Sequence, residues 1–175
     1  MKVEIRHLSA ADIPRMHRLL SLFGEVFDEP ETYSGNRPDD AYLQELLGDR
    51  TFVALAAIEG EDVIGGLAAY ELRKFEQPRS EIYIYDLAVS ATHRRRGVAT
   101  ALIEQLQCLA AQRNVYVIYV QADTGVEDAP AIALYSKLGQ RENVLHFDIG
   151  VPTINPTAAA PVQAEDRTSP APKPG

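Results

Sequence analysis

The segment from Ser80 to Gln112 constrains the fold more than any other part of the chain. It opens as SEIYIYDLAVS, a run of Ile, Tyr and Val that favours a β-strand, and passes through the short polar turn ATHRRRG. It then continues as VATALIEQLQCLAAQ, in which Val98, Leu102, Leu106 and Leu109 fall on one helical face. A strand therefore enters a helix through a basic loop marked by a glycine. The first N–H groups of a helix have no intrahelical acceptor, and the helix dipole adds partial positive charge there. A diphosphate fits such a place. Gly97 allows close approach of the backbone to a ligand, and the forks of Arg94, Arg95 and Arg96 match phosphate oxygens. The alternative for such a loop is a solvated turn.

The glycine pattern is neither a P-loop, since no Gly-Lys-Ser or Gly-Lys-Thr ends it, nor the three-glycine dinucleotide fingerprint. Around it the rest of the chain falls into elements. Lys2 to Arg6 alternates as a short strand, and Ser9 is placed to cap a helix carrying Met16, Leu19, Leu20 and Phe23. Gly24 to Asp40, broken by Pro30, Gly35 and Pro38, is a long connection of the kind that lines binding sites. Tyr42, Leu43, Leu46 and Leu47 mark a short helix. Thr51 to Ile58 and Val63 to Leu72 form a hairpin around Gly60 to Asp62. Val115 to Val120 is apolar enough to be expected at the centre of a sheet. Asp128 and Pro130 start a last helix, stopped by Gly139 in a left-handed cap, and Val144 to Ile149 is expected to close the sheet as a strand.

At 175 residues with 46% apolar side chains there is room for one domain, expected over 1–150, followed by a Pro/Ala-rich flexible tail over 151–175. The net charge of −8 sits on the first part, because Glu165 and Asp166 balance Arg167 and Lys173. Such an acidic domain repels nucleic acid and anionic membranes and attracts cations. The lone Cys108, in a helical pattern that would pack it as a small apolar residue, rules out an internal disulfide. With no leader and no long apolar run, a cytoplasmic location is expected. His7, His17, His93 and His146 are too scattered to suggest a metal site.

Arg94-x-x-Gly97-x-Ala99, with the strand before it and the order of elements, resembles the signature of the GNAT N-acetyltransferase superfamily. Within that superfamily the runs Leu22–Phe27, Thr32–Ser34, TFVALAA from Thr51, LAAYEL from Leu67, KFEQPRSEIYIYDLAVS from Lys74, YVIYVQAD from Tyr116 and HFDI from His146 are similar to the type I aminoglycoside 3-N-acetyltransferases. The resemblance spans Ile5 to Ile149. It implies an α/β (α+β) fold with a mixed, mostly antiparallel sheet, splayed at the cosubstrate site and flanked by helices on both faces. It also implies acetyl transfer from acetyl coenzyme A to the 3-amino group of the deoxystreptamine ring of gentamicin-type aminoglycosides, hence antibiotic resistance, and a homodimer. By the same resemblance the main chain of Leu87, Ala88 and Val89 holds the acetyl carbonyl and pantetheine. The loop of Arg94, Arg95, Arg96, Gly97, Val98, Ala99 and Thr100 holds the diphosphate.

An amine must lose its proton before it attacks a thioester, and the departing thiolate benefits from gaining one. Asp86 is the only charge between Ile82 and Val89, and a carboxylate in such a strand is costly unless it is paired or faces a wet cleft. Its alternatives are orienting or deprotonating the acceptor amine, directly or through water, or a structural ion pair with Arg79 or Arg94. Strict alternation puts Asp86 on the face of Ile82 and Ile84; the family's β-bulge would re-aim it. Tyr135, four residues before Gly139 in AIALYSKLG, matches the family position of the general acid, although the usual aromatic after that glycine is Gln140 here. The competing role is packing with Ala131, Leu134 and Leu138. Asp123, Glu127, Asp128 and Glu81 are further acidic candidates for binding a polycation. Rival readings are a GNAT enzyme for another cationic amine, such as a polyamine or protein amine, and a non-catalytic acetyl coenzyme A sensor.

Overall fold

A computed structural model of the chain describes residues 3–152. The chain divides at Gln140 into two units. In the first, the strands are β1 Glu4–His7, β2 Phe52–Glu59, β3 Asp62–Arg73, β4 Ser80–Val89 and β5 Val115–Val120. The helices are α1 Ile13–Val26, α2 Asp40–Gly48, α3 Val98–Gln112 and α4 Ala129–Leu138. A π-helical turn, Glu31–Gly35, interrupts the long α1–α2 connection. Among the described residues no helix is long and apolar enough to cross a membrane.

The sheet order is β1-β2-β3-β4-β5, with the first four strands antiparallel and β5 parallel to β4. Helices cover both faces. On one, Ile13, Met16, Leu19, Leu22 and Phe23 of α1 and Leu43 of α2 pack with Phe52, Ala54, Ala56, Ala68 and Ala88. On the other, Val98, Leu102, Ile103, Leu106 and Ala110 of α3 pack with Val53, Leu55, Ala57, Leu67, Ile82 and Ile84. Each of these large buried side chains contributes about 1.5–3 kcal/mol of transfer free energy. Alternation along β2 divides its side chains between the two cores, which explains why the whole run from Phe52 to Ile58 is buried.

Five expectations are corrected. β5 is an edge strand, with Tyr116, Val117 and Tyr119 exposed, because the run of β-branched and aromatic residues signals a strand without fixing its place. α1 starts at Ile13 rather than after Ser9, whose hydroxyl and N–H bond the Asp12 carboxylate in a turn that delays the helix. Gly139 ends α4 in extended backbone (φ −146°), so the C-terminus is not the left-handed cap. Residues 141–152 contain no helix or strand, and Val144, Leu145, Phe147 and Ile149 are exposed. The HFDI alternation is a strand signal only where a neighbouring edge supplies hydrogen bonds. Cys108, expected to pack, is exposed on α3.

Candidate active site

β4 carries the central irregularity. Its register against β3 shifts between Ala68↔Asp86 and Ala69↔Ile84, so Tyr85 is an extra residue opposite no partner. Ile82 and Ile84 belong to the α3 core, and after the shift Leu87 and Val89 pack against that same core. Asp86 instead shares the α1 face with Ala88. Pairing of β5 with β4 ends at Ile84↔Val120, so from Tyr85 to Val89 β4 has a strand neighbour on the β3 side only. The sheet thus opens where the bulge lies.

Asp86 is half-buried, and among the described residues it is in no ion pair. Its partner is the Tyr33 hydroxyl, which donates to Oδ1 at 3.0 Å from the π-helical turn. Burial raises the Asp86 pKa above its ordinary 3.8, the Tyr33 bond opposes that, and the Glu29 carboxylate adds to it. The Tyr33 phenol is itself pushed up, by burial and by the charge of Asp86. The proposed structural ion pairs do not form. Arg79 lies over the Tyr116 ring, 3.9 Å from its centroid, and Arg94 Nε donates to the Val89 carbonyl at 3.2 Å.

Beside Asp86 runs a row of aromatic rings across four strands. Phe52 on β2 packs with Tyr70 on β3 at 5.2 Å between centroids, Tyr70 with Tyr85 at 5.8 Å, Tyr85 with Tyr83 at 5.9 Å, and Tyr83 stacks on Tyr119 of β5 at 5.0 Å. Tyr85 is 62% exposed. Such π-faces attract ammonium groups and pack on the apolar faces of sugars.

Tyr135 packs in the α3-side cluster with Leu87, Val89 and Val120, across β4 from Asp86. Its pKa is pushed up to about 12, chiefly by burial and further by Asp128. The phenol therefore keeps its proton throughout the neutral range. Asp128 stands at the α4 N-cap position, yet its carboxylate accepts from the Asp123 N–H at 2.9 Å and closes the β5–α4 loop. Asp123 and Glu127 are exposed on that loop. Glu81 lies five residues before Asp86 and is held by the Tyr116 hydroxyl at 2.8 Å and Lys74 at 3.5 Å. The fold thus brings Asp128 to Tyr135 and leaves Glu81 engaged elsewhere.

After a 3-10 turn at Ala91–His93, the three arginines have different surroundings. Arg94 is tied to Val89 as above, and Arg96 lies 3.5 Å from Glu59, a carboxylate it shares with His93. Arg95 has left-handed backbone (φ 61°) and, among the described residues, no side-chain partner. Gly97 is also left-handed (φ 81°), with open space where a Cβ would stand, and no side chain caps α3. The N–H groups of Val98, Ala99 and Thr100 consequently start the helix without a side-chain acceptor, as a bound diphosphate requires.

Tyr33, Glu29 and the tyrosine row were not found from sequence. Tyr33 is 53 positions from Asp86, and its place in a long connection and in the Thr32–Ser34 run gave no link to the carboxylate; the row had a period-two hint in Tyr83 and Tyr85.

The chain is similar to known proteins over most of its length. Residues 16–140 match the acetyltransferase (GNAT) family. The crystal structure of an aminoglycoside acetyltransferase from an uncultured soil metagenomic sample is 62% identical, with a TM-score of 0.85 over 87% of this chain and 100% of that one. A second, also from an uncultured soil metagenomic sample and solved in complex with sisomicin, is 28% identical, with a TM-score of 0.78 over 86% of this chain and 97% of that one. The L-amino acid N-acetyltransferase AaaT of Escherichia coli (strain K12) is 28% identical over 145 residues, which cover 79% of this chain and 82% of that protein.

Proposed function

The chain belongs to the acetyltransferase (GNAT) family, and from that premise we propose that it transfers the acetyl group of acetyl coenzyme A to the 3-amino group of a gentamicin-type aminoglycoside. The observation that carries the aminoglycoside reading is the environment of Asp86: a carboxylate with no cation of its own, turned by the bulge onto a face lined with tyrosine rings and joined there by Glu29. A polycationic ring compound supplies what this surface lacks. The 62% identity to a protein described as an aminoglycoside acetyltransferase supports the substrate class. The 3-amino position rests on the sequence resemblance through KFEQPRSEIYIYDLAVS.

In this reading the diphosphate lies on the N–H groups from Gly97 to Thr100 with Arg95 beside it, and the pantetheine arm runs along Leu87 to Val89, where β4 has lost its β5 neighbour. Acetyl coenzyme A supplies the activated acyl group. Asp86 orients the acceptor ammonium and takes its proton, directly or through water; its raised pKa brings it closer to the range useful in a general base. Tyr135, on the opposite side of β4, donates to the departing sulfur. A base on one face and an acid on the other match the two ends of the transferred group.

The kinship with an L-amino acid N-acetyltransferase raises a second acceptor class. A free amino acid would also bring a carboxylate, which the charges of Asp86 and of the neighbouring Glu29 repel. Thiol release from acetyl coenzyme A with gentamicin, and none with gentamicin already acetylated on the 3-amino group, is the expected result. Equal release with both defeats the positional claim, and no release with either, while acetyl coenzyme A binds, defeats the aminoglycoside claim.

A further inference from the structure

A cavity of about 550 Å³ opens where β4 begins, seven residues before Leu87 and so roughly 20 Å along the strand from the splay. Five cations line it: Arg50 from the α2–β2 turn, Arg73 and Lys74 at the end of β3, Arg79 at the start of β4, and Arg113 from the α3–β5 turn. The one lining carboxylate is Glu71. The chain as a whole carries −8, so this concentration of positive charge runs against its composition.

The carboxylates nearby do not satisfy the five. Glu71 is divided between Arg113 at 3.2 Å and the Ser80 hydroxyl at 2.7 Å. Lys74 stands 3.5 Å from Glu81 and 3.6 Å from Glu76, both long contacts. Arg79 lies on the Tyr116 ring, and its Nε is buried without a hydrogen-bond acceptor. Arg50 and Arg73 have no carboxylate partner among the described residues. Like charges held around one cavity repel, and a buried donor without an acceptor costs stability. A multiply charged anion in the cavity relieves the repulsion among them.

We propose that this cavity is a second binding site, separate from the α3 loop, for a small anion of the phosphate-ester or diphosphate class. The volume falls in the range of small-molecule sites, and four arginines can offer paired N–H donors to phosphate oxygens. Five cations around one cavity suit an anionic headgroup rather than an apolar ligand.

Inorganic pyrophosphate is the probe, titrated calorimetrically into the full chain saturated with coenzyme A, so that the α3 loop is filled, at ionic strength held constant with chloride. The expected result is binding of one equivalent. Arg50→Gln with Arg73→Gln, both exposed and outside any ion pair, should weaken it more than about tenfold, given the strength of charge-assisted bonds. Arg73→Gln alone should give a smaller loss in the same direction, and Arg95→Gln no loss. Absence of binding to the coenzyme A-saturated protein overturns the proposal. So does binding that Arg95→Gln abolishes while the Arg50 and Arg73 variants retain it.

Discussion

Replacing Asp86 with Asn should make the protein more stable at neutral pH while removing its activity. The Asp86 carboxylate is half-buried, accepts one hydrogen bond from Tyr33 at 3.0 Å and is repelled by Glu29. Desolvation outweighs the hydrogen bond, so the folded-state pKa lies above the ordinary 3.8. The sign follows from linkage. A carboxyl group whose pKa is raised on folding leaves stability intact below the ordinary value and lowers it as pH rises through the folded value. Asn keeps an oxygen that can accept from Tyr33 and removes the charge. The gain should be about 1 kcal/mol, as for other relieved active-site groups, or roughly 2–4 °C in melting temperature for a chain of this length. Melts of the native protein and Asp86→Asn between about pH 8 and about pH 3, below the ordinary carboxylate value, provide the assay. The difference should be largest at the alkaline end and vanish at the acidic end, where the native carboxyl group is also neutral. Turnover by the variant should fall by a factor of about 10²–10⁴, the usual contribution of a general base. A variant less stable at neutral pH, or a gain independent of pH, would refute the view that Asp86 is held charged at a cost to the fold.

Three further outcomes follow from the same geometry. Tyr33→Phe removes the bond that lowers the Asp86 pKa, so the acidic limb of the kcat/KM profile should move to higher pH; an unmoved limb would separate Tyr33 from the base. Tyr135→Phe should reduce kcat by about 10²-fold or more with little change in acetyl coenzyme A affinity, since it removes the proton that the phenol, kept protonated at neutral pH, would donate to the departing sulfur. Retained kcat in that variant would return Tyr135 to a packing role. Gly97→Ala forces a side chain into left-handed backbone at a cost of about 1–2 kcal/mol, and equilibrium dialysis should show weaker coenzyme A binding alongside a lower melting temperature.

The elements that could be read from sequence are those whose burial is decided locally. The hairpin of β2 and β3 and the buried faces of α1 and α3 follow from period-two and helical spacing, because each apolar position has the same neighbours whatever the sheet order. The edge position of β5 and the absence of a strand at Val144–Ile149 depend on which hydrogen-bonding edge is available, which no periodicity records. In the site, Asp86 was identifiable as a charge in an apolar strand and Gly97 as a glycine at a helix start. The orientation of Asp86 was not, since a bulge changes strand parity without changing composition. Arg94, Arg95 and Arg96 are equivalent as letters and acquire different partners only when Glu59 and the Val89 carbonyl are brought to them.

The extra residue in β4 also governs how this strand tolerates mutation. Up to Ile84 the even positions face the α3 core, and from Leu87 onward the odd ones do, so a map of tolerated substitutions along β4 should change phase at Tyr85. Loss of one residue from an interior strand ordinarily turns half of it inside out. Deleting Tyr85 or Asp86 would instead restore unbroken alternation and keep Leu87 and Val89 in the core in step with Ile82 and Ile84. Melting temperature and turnover, measured on the Asp86 deletion, should therefore part company: the scaffold survives a change that removes the chemistry. β4 is in that sense a regular strand carrying one guest residue, and the guest is what allows an aromatic ring and a carboxylate to stand side by side on a single face.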